Sequence, residues 1–133
     1  MRLLFGDAFV FLDEIEPSFI VTDSNPETIG PLIRWCEHHH TILVNAYSTR
    51  WLTALDRHPA QKRIEPYEAL IRAFPNEPVV CDPFMGSGSI GEAALRCGRD
   101  FIGIEKMQQW FVIAEARLHG FQNAAAGTDR AVG

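Results

Sequence analysis

Two carboxylates flanking a glycine turn set the chemistry open to this chain. Val79-Val80-Cys81-Asp82-Pro83-Phe84-Met85-Gly86-Ser87-Gly88-Ser89-Ile90-Gly91 reads as a buried strand, a glycine turn and the start of a helix. Phe101-Ile102-Gly103-Ile104-Glu105 reads as a second strand ending on an acid. That arrangement is half of a nucleotide-type site. Gly86, Gly88 and Gly91 fit the G-x-G-x-x-G spacing of dinucleotide sites, with Glu105 placed for a ribose hydroxyl. Two details speak against a dinucleotide. Asp82-Pro83-Phe84-Met85 intervenes between strand and glycines, and a carboxylate at a strand tip repels pyrophosphate while attracting a cation. S-adenosylmethionine carries an ammonium, a sulfonium and a ribose but no phosphate, so it suits these residues better. Phe84, Gly86, Ser87 and Gly88 of the turn thus become candidate cofactor contacts, together with Asp82 and Glu105.

The elements that must position them follow from periodicity. Apolar runs at Arg2–Gly6, Ser18–Thr22, Thr41–Asn45, Val79–Asp82 and Phe101–Glu105 are strand-sized. Between them lie helical patterns at Ala8–Ile15, Pro26–His38, Tyr67–Phe74 and Ser89–Cys97, with a last helix at Gln108–Leu118. Gly98 stands where a helix would stop. Strands alternating with helices predict a doubly wound, mostly parallel five-stranded α/β sheet. In such sheets ligands bind beyond the carboxyl ends of the strands, where the winding reverses. Asp7, Asp23, Asn45, Asp82 and Glu105 all fall at or just past those ends.

At this point the residues resemble a family. Asp82-Pro83-Phe84-Met85-Gly86-Ser87-Gly88, then Ala94-Leu95-Arg96-Cys97-Gly98-Arg99-Asp100-Phe101-Ile102-Gly103-Ile104-Glu105, is similar to the cofactor half of the DNA amino-methyltransferases. His58-Pro59-Ala60-Gln61-Lys62 resembles the segment that precedes their glycine loop. Gly6-Asp7-Ala8 with Phe19-Ile20-Val21-Thr22-Asp23 resembles their opening. The similarity covers roughly residues 1–118, in the permuted order where the glycine loop comes late. It implies S-adenosylmethionine as methyl donor, adenine N6 or cytosine N4 as acceptor, and a Rossmann-like methyltransferase fold. With right-handed crossovers it also implies the strand order third, second, fourth, fifth, first.

The resemblance gives several residues a role. Asp7 would face the adenine amino group, although Gly-Asp is also a common turn. Asp82 would hold the cofactor ammonium directly or through water, or else serve as a helix N-terminal partner. Glu105 would accept from both ribose hydroxyls. Lys62, with Gln61, would reach the cofactor carboxylate; the family continues into proline there, whereas this chain has Arg63 and delays its proline to Pro66. Met107 or Trp110 would cover the adenine face unless they belong to the core.

Two departures bear on the reaction. The family turn after the second strand is Asp/Asn/Ser-Pro-Pro-aromatic, where the acid or amide holds the target amine and the ring stacks on the flipped base. Here Asp23 is kept as the catalytic acceptor, but Ser24-Asn25-Pro26 follows it. A missing stacking ring costs roughly 1–3 kcal/mol per base. Tyr47 or Trp51 could supply one. The second departure is size: about a dozen residues separate Asn45 from His58, where the family carries its target-recognition region.

Composition sets the remaining bounds. The length of 133 residues suits one domain, expected over 1–121 with a disordered alanine- and glycine-rich tail over 122–133. No apolar run is long enough for a membrane span, and the N-terminal apolar stretch is too short for a signal peptide. Cys36, Cys81 and Cys97 lack CxxC spacing, which favours reduced thiols and a cytoplasmic setting. Consecutive histidines point about 100° apart on a helix, so His38-His39-His40 is a poor metal set and no metal is expected. The net charge of −5 argues against tight unaided DNA binding, because phosphate contacts dominate affinity. DNA recognition would then need a protein partner or a homodimer. The alternative is a catalytically inactive methyltransferase fold that acts by binding a protein, as an inhibitor of a nucleic-acid enzyme does.

Overall fold

A computed structural model describes residues 1–49 and 64–132. The strands are β1 (Arg2–Phe5), β2 (Phe19–Thr22), β3 (Ile42–Asn45), β4 (Val79–Asp82) and β5 (Asp100–Glu105). The helices are α1 (Ala8–Ile15), α2 (Gly30–His39), α3 (Glu65–Arg72), α4 (Ser89–Arg96) and α5 (Gln108–Val132). All strand pairs are parallel, in the spatial order β1-β5-β4-β2-β3. Read from the other edge, this is the order expected from the sequence. The winding reverses between β4 and β2.

The period-two alternation of each strand sends side chains into two separate layers. Phe19, Val21, Val80 and Phe101 face α3, α4 and α5, where Ile71, Ile90, Ala93, Ala114 and Leu118 complete a core. Ile20, Cys81 and Ile104 face α1 and α2, against Leu12, Leu32 and Cys36. Each strand is apolar on both faces because both faces are covered. Burial pushes the Cys36 thiol up to about 11 and raises that of Cys81 further, so both behave as small apolar groups.

Local chemistry decides where helices begin and end. The Asp7 carboxylate accepts from the Phe9 and Val10 N–H groups and caps α1. The stretch 25–28 forms a turn, closed by the Asn25 side chain on Glu27 N and by Asn25 O on Thr28 N, so α2 starts at Gly30 rather than Pro26. Pro66 opens α3. Arg99, ahead of β5, donates to the carbonyls of Ile71, Phe74 and Glu77 and so gathers the end of α3 and the turn that follows it. The last helix does not stop near Leu118 but continues to Val132, as alanines at 124–126 favour. Among the described residues no helix is long and apolar enough to cross a membrane. Two of the expected features, Trp51 and the segment His58–Lys62 with Gln61 and Lys62, lie outside the described residues.

Candidate functional site

The turn after β4 folds back over the tip of β5. Met85 N donates to Ile104 O at 3.0 Å, and Gly86 N donates to Glu105 Oε1 at 3.1 Å. The other oxygen, Oε2, accepts from Met107 N at 2.8 Å. One buried carboxylate thus ties the glycine turn to the start of α5. Each of its oxygens takes one backbone N–H in these bonds, while a carboxylate has about four acceptor positions. A vicinal diol is the ligand that matches such a pair of oxygens.

Gly86 adopts φ +53°, which penalises any residue with a Cβ, and nothing lies within 4 Å of where that Cβ would stand. The space beside it is therefore a cradle rather than a packed contact. Gly88 adopts φ +89°, and its missing Cβ would press Ala114 and Leu118 at 3.3 Å, so this glycine seats the turn against α5. Ser87, between them, is half-buried.

Asp82 lies beneath this turn, only 2% exposed. Its Oδ1 accepts from Phe84 N at 3.0 Å, and the Thr22 hydroxyl nearby favours its charged form. Burial pushes its carboxyl up to about 7; Phe84 N and the Thr22 hydroxyl pull the other way, and the charges of Asp23 and Glu105 add to the rise. Near neutral pH this group is poised between its forms. A cation beside it would hold it ionised.

A cavity of about 300 Å³ opens at the tips of β1 and β5, lined by Gly6, Asp7, Ala8, Phe9, Pro83, Phe84, Glu105 and Lys106. The Phe9 and Phe84 rings meet edge-on with centroids 6.3 Å apart. Phe84 is 40% exposed, so much of it faces outward. Asp7, Phe84 and Glu105, expected from the sequence, come together here. Asp7 at the same time serves as the α1 cap, a role the sequence reading had not given it. Phe9 and Lys106 are additions: Phe9 had the spacing of an inward helix residue, and nothing marked its place at the cavity. Met107 and Trp110 are exposed on the first turn of α5 and do not line this cavity.

Asp23 sits on the β2 side. Its Oδ2 accepts from the Tyr67 hydroxyl of α3 at 2.9 Å. The loop beside it is clamped from β3: Asn45 Oδ1 accepts from Ser24 N, and Asn45 Nδ2 donates to Ser24 O, each at 3.0 Å. Thr22, fully buried, lies 3.2 Å from the Ser24 hydroxyl. Because the Thr22 hydroxyl also influences Asp82, a line of polar groups runs between the two sides. Thr22 and Tyr67 were not singled out in the sequence. Both look like ordinary strand and helix residues there. At the opposite end of the sheet His38 and His39 close α2, with His40 in the left-handed conformation that caps it, and the His39 ring stacks on Trp35 at 3.9 Å. Among the described residues no group of three or more His, Cys, Asp or Glu is arranged to hold a metal ion.

Fold and site together define an α/β protein of the Rossmann-like methyltransferase class. The model of the DNA methylase family matches residues 22–116, well over half of the chain, and the chain belongs to that family, whose methyl donor is S-adenosylmethionine. It is 44% identical over 69 residues to the putative methylase YubD of Escherichia coli (strain K12), a match covering 50% of this chain and 30% of that protein. It is 42% identical over 64 residues to the type II methyltransferase M2.LlaDCHI of Lactococcus lactis subsp. cremoris, covering 47% and 24%. The chain thus spans about a quarter to a third of the length of these curated relatives. Among solved structures, M1.HpyAVI in complex with SAM superposes with a TM-score of 0.60 at 18% identity, covering 88% of this chain and 99% of that one. TTHA0409, a putative DNA modification methylase from Thermus thermophilus, superposes with 0.57 at 16%, covering 88% and 93%. These two likenesses support the fold.

Proposed function

We propose that the chain binds S-adenosylmethionine in the crevice at the strand tips and methylates an exocyclic amine of a DNA base. The observation that carries this reading is the convergence of Glu105, Phe84 and Asp7 on one cavity, with Asp82 buried beneath the adjoining glycine turn. The fit is chemical. Glu105 suits the ribose hydroxyls, Asp82 the ammonium, Gly86 leaves room for the amino-acid portion, and Phe9 and Phe84 offer apolar surface to a flat base. Asp7 would face the adenine amino group, and Lys62 the carboxylate. When bound, the donor supplies an electrophilic methyl group.

The rest falls to the chain's own residues. Asp23 accepts a hydrogen bond from the target amine and so turns the nitrogen lone pair toward the crevice. Tyr47, which follows β3, is the ring within the described residues that could meet the base. With a net charge of −5, tight DNA binding would call on a second copy or a protein partner. Calorimetry with S-adenosylmethionine tests the cofactor site, and the expected result is saturable one-to-one binding. Absence of heat and of thermal stabilisation at millimolar ligand would refute it. Transfer of labelled methyl groups to mixed DNA tests the reaction.

A further inference from the structure

Asp23 is followed by Ser24-Asn25 rather than by prolines, and among the described residues two other elements hold this stretch. Asn45 of β3 clamps the Ser24 backbone at both its N–H and its C=O. Tyr67 of α3 reaches Asp23 itself, donating its hydroxyl to Oδ2 at 2.9 Å across 44 residues of sequence. Tyr67 is 8% exposed, and its helix is fixed independently of the loop, by Ile71 in the core and by Arg99 on the carbonyls at its end. A carboxylate turns readily about its last side-chain bond. A buried donor on one oxygen removes that freedom.

We infer that Tyr67 is a positioning residue: it fixes the plane of the Asp23 carboxylate, through which the chain orients its amine substrate. The inference rests on the reading that Asp23 receives that amine. Tyr67 touches neither substrate nor cofactor in this role. Its hydroxyl acts by denying the carboxylate its other orientations, while Asn45 holds the neighbouring peptide. Two anchors from outside the loop thus supply the stiffness that a rigid turn would otherwise give.

Tyr67→Phe removes the hydroxyl and keeps the ring, so the core stays filled. Two measurements on the whole chain decide the matter. In protein labelled at aspartate carboxyl carbons, the Asp23 resonance is expected to move in the variant while that of Asp82 holds its place. In steady-state methyl transfer, kcat is expected to fall roughly five- to tenfold, the worth of about one hydrogen bond, with KM for S-adenosylmethionine unchanged. An Asp23 resonance identical in both proteins overturns the inference, as does a moved resonance with kcat unaltered. If the wild-type chain binds S-adenosylmethionine but methylates no DNA, the methyl-transfer reading fails on its own. The resonance then decides alone: a shift supports the fixing of Asp23 by Tyr67, and no shift overturns it.

Discussion

On the β4–β5 side of the crevice the groups proposed to meet the cofactor are held largely by backbone: Glu105 by two N–H groups, Asp82 by Phe84 N, and the turn by Gly86 at positive φ. On the β2–β3 side the corresponding groups are held by side chains, Asp23 by Tyr67 and Ser24 by Asn45. The first construction admits few sequences, because only glycine fits the turn and only an acid satisfies its amides. The second admits many, since any long donor on a neighbouring element could reach the same carboxylate. A site can therefore keep a recognisable half beside one that has been rebuilt.

The largest effect that would sharpen this contrast is expected from Asp82, where a buried acid serves binding at the expense of stability. Its folded carboxyl titrates near 7 against an ordinary value of 3.8. Raising the pH from about 4 to about 7 ionises the unfolded chain first, so stability falls across that window and then levels off. Three pKa units correspond to roughly 4 kcal/mol. Asp82→Asn should therefore gain on the wild type by an amount of this order between pH 4 and pH 8 in denaturant titrations, while binding S-adenosylmethionine several-fold more weakly. Equal pH dependence in both proteins would mean that Asp82 is ionised in the fold.

Next in size is Glu105→Ala, which strips the acceptor from Gly86 N and Met107 N. Hydrogen bonds to a charged group are worth about 1.5–3 kcal/mol each, so cofactor affinity should drop roughly tenfold or more by calorimetry. Unchanged affinity would displace the cofactor from this pocket. Gly91→Ala probes the same side through packing, since the added Cβ would stand 2.6 Å from the Phe101 ring. Overpacking of this kind costs about 1–3 kcal/mol and should appear as a lowered melting temperature. The smallest effect belongs to the other side. Asn45→Ala should cost about 1 kcal/mol, leave cofactor affinity within about twofold, and speed hydrogen exchange at the Ser24 amide. A large loss of cofactor binding in Asn45→Ala would show that the line of polar groups through Thr22 makes the two sides one unit.

The same contrast explains what could be read in advance. The sheet and the β4–β5 side were legible, because apolar runs, punctuating glycines and strand-tip acids each follow from a backbone requirement at a fixed offset; the strand order came from the family resemblance with right-handed crossovers. Asp23 was legible as a strand-tip acid. Its partner was not, since Tyr67 lies 44 positions away and had the spacing of a core helix residue. Thr22 was hidden for a similar reason: a threonine in a strand is unremarkable until it is seen fully buried between two acids. Phe9 was not singled out, because helical spacing gives the face of a residue but not what lies beyond the helix end. The end of α2 close to His38 was legible, whereas the left-handed conformation of His40 that closes it was not.

Arg99 carries a consequence for how such a chain can change. By binding the Ile71 carbonyl in the last turn of α3 and those of Phe74 and Glu77 just beyond it, it moors that helix to the entrance of β5 from its C-terminal side. All three of those bonds join segments that follow Ile64 in the chain, so a change of sequence ahead of Ile64 removes none of them. The tether would outlast a redesign of whatever leads into the helix.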